Sequence, residues 1–427
     1  MTLQISRENR FLLLSSCAAI IAFTLPSTAA QAAGFYIQEQ SVSGLGTAFA
    51  GSGAVARDAS VLHYNPAAIT QLDGRQLNVG VHMLYPSIEV QDNGTTIGGF
   101  SLDALGRPNS DGGNPGGLAN IPNVYFATPL DDTGKFWFGA GISAPFGLKS
   151  EYNDEFFGRF VSQKSELRTI DVQPTLAYQV NDQLSLGATV IGQYARANLK
   201  QSLPNEVDVS LVGDDFSLGY NIGALYSPWA GTDIGVSYRS EINHNASGRQ
   251  TTSTGAALGP DSQATAKIKL PEIASLSVAQ DLDKDWTLLG SLNYYGWNNF
   301  DELRVVPDNA ATVGPVVDFS YENSFAYSVG LEYEMDEQWT LRTGYQYDQT
   351  PTRDATRSTL NPDGDRHWFA GGATYTLDER LSFDFGATYI DIEEGTIDQT
   401  RAGVANVKAR TEDGYVGIVS MGLNYKF

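Results

Sequence analysis

The chain has 427 residues and a formal net charge of −22, with 44 Gly, 21 Tyr, 20 Phe and 6 Trp but one Cys. That acidic balance excludes nucleic acid as a partner, and a single cysteine excludes a disulfide framework or a thiolate zinc site. Beyond the N-terminal region no stretch holds 18 uncharged apolar residues, so no transmembrane helix is expected.

In chain order, the first element reads as an export signal, residues 1–32. Arg7 and Arg10 form a basic start, residues 11–25 an apolar run, and Ala30-Gln31-Ala32 a small-x-small cleavage step. A lipoprotein reading of Leu14-Ser15-Ser16-Cys17 is the weaker alternative. The lone Cys17 lies inside this signal, so the exported chain has no thiol.

Residues 33–75 do not alternate like a strand. Gly44, Gly46, Gly51 and Gly53 punctuate them, yet Phe35, Leu45, Phe49, Val55, Val61, Leu62 and Ile69 supply enough apolar surface to pack inside something. Near their end stands Asn65-Pro66-Ala67. Pro fixes φ and cannot donate, the residue before it is pushed extended, and an Asn side chain can bond backbone around the turn. An ordinary turn entering the first strand is the alternative.

From residue 76 to 427 the chain alternates. In residues 184–194, Leu184, Leu186, Ala188, Val190 and Tyr194 oppose Ser185, Thr189 and Gln193. Residues 339–348 and 381–390 repeat the pattern, as does the C-terminus, where Tyr415, Val419, Met421, Leu423, Tyr425 and Phe427 share a face and Val416 and Ile418 break it. Segments of about ten residues with aromatics at the ends of the apolar face suit tilted strands crossing a bilayer. Fourteen such segments begin near Leu77, Ile121, Phe136, Leu167, Leu184, Phe216, Thr232, Ala266, Trp286, Ser324, Trp339, Arg366, Leu381 and Gly414. Short acidic turns alternate with long polar loops such as residues 91–119, 201–215 and 244–265. The expected fold is all-β: a membrane-spanning, antiparallel up-and-down barrel of the bacterial outer membrane, needing no helix. Such a barrel would leave a water-filled hole, so residues 33–75 are expected to plug it.

Three stretches carry candidate chemistry. The third segment contains Gly139, Gly141, Pro145 and Gly147, which predict lost pairing around Ser143, Pro145, Phe146 and Gly147; the alternative is that Pro145 simply ends the strand. Leu203, Val207, Val209, Leu211 and Val212, with Leu258 across from them, predict an apolar ligand groove, against the alternative of a solvated loop. Parity turns Arg196 and Lys200 outward with Tyr194, and turns Arg239 inward with Glu241 and Arg342 inward with Asp348, two luminal ion pairs. The four histidines, His63, His82, His244 and His367, lie in no nucleophile or metal motif, so neither an enzyme nor a metal or cofactor is expected.

The segment "AGFYIQEQSVSGLGTAFAGSGAVARDASVLHYNPAAIT" resembles the N-terminal hatch of the FadL family of outer-membrane transporters for long-chain fatty acids and other hydrophobic compounds. "PFGLKSEYND", "YRSE", "LPE" and the closing "NYKF" resemble the family in the same order. The resemblance implies passive uptake of a hydrophobic small molecule. The ligand would move from an extracellular groove to a luminal pocket, then sideways into the outer-membrane lipids through a gap where the third strand bends beside Asn65-Pro66-Ala67. The chain departs from the family where Gln201, Glu322 and Asn323 replace basic residues that would capture a carboxylate. A neutral aromatic hydrocarbon is therefore an alternative cargo. A water-filled porin and a loop-based adhesin or phage receptor are the competing functions, and a monomer is expected.

Overall fold

The computed structural model of the chain describes residues 34–203, 207–253, 261–308, 316–401 and 404–427. The alternating segments are strands: β1 (Gln76–Asp92), β2 (Ala119–Pro129), β3 (Phe136–Ser143, resuming as Gly147–Glu151), β4 (Lys164–Asn181), β5 (Leu184–Ser202) and β6 (Asp208–Trp229). Then follow β7 (Thr232–Arg239, resuming as Ile242–Thr252), β8 (Ser262–Leu270, resuming as Ile273–Asp281) and β9 (Trp286–Tyr295, resuming as Glu302–Pro307). The last are β10 (Ser324–Glu334), β11 (Trp339–Asp348), β12 (Arg366–Thr376), β13 (Leu381–Ile392) and β14 (Ala405–Lys426). Each strand pairs antiparallel with the next. β14 pairs with β1 from Gln76 opposite Lys426 to Asp92 opposite Ala409, which closes a fourteen-strand barrel.

The two faces sort as alternation requires. Outward residues such as Leu176 and Leu218 are 60% and 69% exposed, whereas inward residues such as Gln193 and His82 are fully buried. Leu, Val and Phe on the outer wall can only be there because the solvent is hydrocarbon. Outward aromatics form two belts: Phe136, Tyr178, Trp229 and Trp286 near the short turns, Tyr85, Tyr194, Phe216, Phe369, Tyr389 and Tyr415 towards the long loops. Val416 and Ile418 are inward and buried. Trp368 also points inward and packs against Phe49, while its neighbours His367 and Phe369 face out.

Two expectations are corrected. Residues 201–215 and 244–265 are not simply loops: β6 starts at Asp208, β7 runs to Thr252 and β8 starts at Ser262. These hairpins continue above the apolar band, where the outward face carries polar residues such as Ser210, Asp214, Asn243, Asn245 and Arg249, so the hydropathy pattern of a membrane strand is lost. Helices also occur, in the N-terminal segment: α1 (Val42–Leu45), α2 (Val61–Tyr64) and a 3-10 turn, Pro66–Gln71.

Residues 34–74 touch strands around the whole ring. The Gly51 amide donates to Ser291 Oγ of β9 (2.9 Å), Gly53 to Ser277 Oγ of β8 (3.2 Å), and Thr70 Oγ1 to Ser185 Oγ of β5 (2.7 Å). Val42 lies against Gly80 of β1 and Gly422 of β14, and Gly46 against Gly372 of β12. The wall makes room with glycine. A Cβ on Gly344 of β11 would stand 2.1 Å from the Thr47 carbonyl oxygen, and one on Gly187 of β5 2.4 Å from the Ala67 nitrogen. No side chain fits at either place.

Candidate functional site

The break in β3 is built from residue types and completed by the N-terminal segment. Pairing with β2 stops at Val124 opposite Ile142, although β2 continues to Ala119 in register with β1. On its other side β3 stays with β4 to Ser143 opposite Asp171 and resumes at Gly147 opposite Arg168, so residues 144–146 bulge across two positions of β4. Thr169 fills that bulge: its hydroxyl receives the Phe146 amide (3.0 Å) and donates to the Phe146 carbonyl (2.9 Å). Backbone groups turned away from β2 still need partners. The Ile37 amide donates to the Pro145 carbonyl (2.7 Å), and the Gly147 amide to the Phe35 carbonyl (2.9 Å). The Gln40 side chain bonds both backbone groups of Ala144. The bend thus brings Ser143, Pro145, Phe146 and Gly147 together. Phe146 closes an aromatic cage around Phe35, whose ring lies 4.6 Å from Trp297 and 5.0 Å from Phe300. Trp297 and Phe300 follow β9 directly, and no alternation marked them beforehand.

Asn65, Pro66 and Ala67 face β5 and β6 at Gly187 and Gly223. Asn65 Nδ2 donates to the Gly53 carbonyl (2.7 Å) and to the Ala224 carbonyl of β6 (3.1 Å), while its Oδ1 receives the Ala67 amide (3.0 Å). Leu62 lies against β3 at Gly139 and Gly141, and Ile69, from the 3-10 turn that Pro66 opens, also lies against Gly139. The segment around the Asn-Pro-Ala step thus reaches β3 from both sides, through Leu62 of α2 before it and Ile69 of the 3-10 turn after it.

Two polar networks inside the ring, among the described residues, differ from the parity pairs. Arg239 does not pair with Glu241; its Nη2 donates to Asp171 of β4 (2.7 Å), and Glu241 faces out, bonded to Asn243 and Asn299. Parity fixes only that a side chain points inward, and a barrel lumen lets it reach another strand. Asp171 also receives Gln193 (2.6 Å) and Gln173 (3.0 Å), which carry the network to His244 and His63. Burial, helped by nearby Arg239, pushes His63 down to about 3, so its ring is neutral. Arg342 does not pair with Asp348 either. Arg342 and Arg57 share Glu332 (2.5 and 2.6 Å), with Asp384 3.9 Å from Arg342, beside a pocket at the short-turn end. Asp348 stands opposite Arg366 in register, and Arg366 bonds Asp363. Glu39 lies in the same buried region with both carboxylate oxygens unpartnered, and burial pushes it up to about 7 against the pull of Arg366.

At the long-loop end Val209 and Leu211 join Val161, Leu199, Leu303, Val305 and Leu360 around a narrow apolar slot that Lys164, Lys200 and Gln201 also line. Val207 is buried, and its carbonyl accepts from the Leu203 amide (2.9 Å). Val212 does not line the slot; it faces outward from β6, the opposite parity to Leu211. Leu258 lies outside the described residues. A small second cavity lies inside the ring between the N-terminal segment and β6–β9, and Tyr36, Gln38, His63, Tyr64, Arg239 and Asn293 are among its lining residues.

A closed barrel with a lipid-facing exterior, two aromatic belts and an occupied interior defines a bacterial outer-membrane protein. The chain belongs to the family of outer membrane transport proteins described as OMPP1/FadL/TodX, whose profile matches residues 23–427. It is 29% identical over 418 residues to the long-chain fatty acid transport protein of Escherichia coli O6:H1, covering 88% of this chain and 91% of that one. It is also 29% identical over 455 residues to outer membrane protein P1 of Haemophilus influenzae, covering 95% and 98%. The crystal structure of a Pseudomonas aeruginosa FadL homologue superposes with a TM-score of 0.83 at 25% identity, covering 92% of this chain and 99% of the other.

Proposed function

We propose that this protein is a passive channel for long-chain fatty acids or similar hydrophobic molecules, with a lateral exit in its wall. The observation that carries this reading is the loss of β2–β3 pairing beyond Val124 and Ile142, where the N-terminal segment takes the bonds a neighbouring strand would have taken. Cargo enters the apolar slot at Val209 and Leu211, passes to the interior cavity, and leaves between β2 and β3 when residues 35–40 shift. Residues 33–75 act as a hatch, with Asn65, Pro66 and Ala67 anchoring its far side. Flow down a gradient needs no cofactor, catalysis or partner subunit.

A neutral cargo is the second reading, favoured by charge. Arg57, Arg239, Arg342 and Arg366 in the interior all meet carboxylates, as do Lys164 and Lys200 at the slot. An acid entering the ring would compete with those pairs.

The test joins β2 to β3 just past the last pair, by Asn123→Cys with Ser143→Cys, in cells lacking the native gene. Labelled oleate and toluene are offered separately. Uptake lost on oxidation and regained on reduction supports the lateral exit, and the cargo affected identifies the substrate class. Unchanged uptake with the disulfide formed refutes that exit.

A further inference from the structure

On the outer wall of β4 and β5 like charges stand directly opposite each other. Lys164 is in register with Lys200 and Arg168 with Arg196, with Glu166 opposite Asn198 between them. The resumed part of β3 adds Lys149 opposite Glu166. Like charges across a sheet pair repel, and an acidic chain has placed five of its 27 basic residues here. Local carboxylates neutralise part of the patch: Lys164 meets Glu151 (3.1 Å), Lys200 meets Asp208 (3.0 Å), and Arg168 meets Glu166. Arg196 and Lys149 have no ion pair among the described residues, although Asp214 stands opposite Arg196 in register, and Arg168 Nε is buried without an acceptor.

The height of the patch says what it meets. On the same face, two positions nearer the membrane centre, Ile170 stands opposite Tyr194, and Tyr194 opposite Phe216 on β6. Val172, Leu176 and Tyr178 continue the apolar face below them. Two residues at about 3.3 Å each along a strand tilted by roughly 40° place Arg168 and Arg196 about 5 Å beyond the aromatic belt. That is the headgroup layer on the long-loop side.

We propose that Arg168 and Arg196, with Lys149 beside them, bind the phosphate of a phosphorylated saccharide headgroup of an outer-leaflet glycolipid. Two guanidinium groups on adjacent strands present converging N–H donors, which suit the several oxygens of a phosphate. The flanking sheet and acyl chains lower the local dielectric below that of bulk water, so the attraction is stronger than on a fully aqueous surface. The acyl chains of the same lipid would lie along Ile170, Val172 and Leu176. The proposal rests on the outer-membrane reading, with long loops outside, and it is independent of which cargo the channel carries.

The test uses the full-length protein in nanodiscs of phosphatidylcholine with or without 10 mol% diphosphoryl lipid A, read by native mass spectrometry. The double variant Arg168→Gln, Arg196→Gln is compared with wild type and with Arg249→Gln, an exposed arginine paired with Asp261 on the β7–β8 hairpin. We expect wild type and Arg249→Gln to retain lipid A, and the double variant to bind it at least roughly tenfold more weakly, with heat-modifiable migration unchanged. Equal retention by the double variant overturns the proposal. So does equal displacement by millimolar inorganic phosphate, which would make this a free-anion site. Uptake is measured in parallel in glycolipid-free nanodisc-derived vesicles, where loss in wild type would count against the channel reading instead.

Discussion

Tyr36 and Phe146 form an antiparallel backbone bridge inside the barrel, their rings 5.3 Å apart. One residue belongs to the N-terminal segment and the other to the bulge of β3, so the segment serves as a substitute strand at the one place where β2 has let go. Withdrawing residues 35–37 would leave the Pro145 carbonyl and the Gly147 amide unpaired within the wall. A buried backbone group left so costs about 1–3 kcal/mol, which favours the closed state until cargo supplies compensating contacts.

The wall glycines should be intolerant of side chains. A Cβ on Gly223 would stand 2.1 Å from Asn65 Oδ1, and one on Gly235 1.9 Å from the Gly53 carbonyl oxygen. Gly223→Ala is expected to keep the barrel folded, as judged by heat-modifiable migration, while displacing residues 53–67 and raising ion conductance in planar bilayers. Conductance at the wild-type level would mean that the segment reseats without opening a path.

Asn65→Ala removes a cap and two bonds to backbone carbonyls. The expected loss is roughly 1–2 kcal/mol. A urea titration of the detergent-solubilised barrel, following Trp fluorescence, measures it. Asn65→Asp should restore the cap to the Ala67 amide but not the two donated bonds, giving a value no better than intermediate.

Glu332 is the shared carboxylate of Arg57 and Arg342. Glu332→Gln leaves two mostly buried guanidinium groups facing each other, with Asp384 3.9 Å from Arg342 as the remaining counter-charge. Destabilisation of about 3 kcal/mol is expected, and Arg57→Gln in the same chain should recover part of it. Additive losses in this double variant would show that the two arginines are not coupled through Glu332.

Glu39 makes the seating of the N-terminal segment pH-dependent. Its folded value, pushed up to about 7 by burial, lies above the ordinary carboxylate value of 4.5. The neutral acid is thus favoured in the folded state: its stabilising contribution is complete below pH 4.5 and is lost as pH rises through about 7. Comparing wild type with Glu39→Gln cancels the opposite tendency of His63. The difference in unfolding free energy between pH 4 and pH 8 should be on the order of 3 kcal/mol, with wild type losing more as pH rises. A pH-independent difference would place Glu39 in water.

Much of the β3 bend could be read from Pro145, Gly139, Gly141 and Gly147, because a missing donor and missing side chains act locally. What fills the bend could not, since residues 35–37 reach Pro145 and Gly147 from more than a hundred positions away. The wall glycines were legible in part: Gly344, Gly386 and Gly422 fall on the polar face of their strands, where a polar side chain would be ordinary in an open lumen. Only the close approach of Thr47, Leu45 and Val42 explains them.

By itself the sequence determined the barrel, its strand number and which side chains face lipid, since alternation in hydrocarbon leaves no other way to satisfy the backbone. The tertiary structure decided partners. Arg239 takes Asp171 rather than Glu241, and Arg342 takes Glu332 rather than Asp348. Period-two alternation says only that a charge points inward. Which opposite charge it meets depends on strand stagger and on how far a side chain reaches within the closed ring.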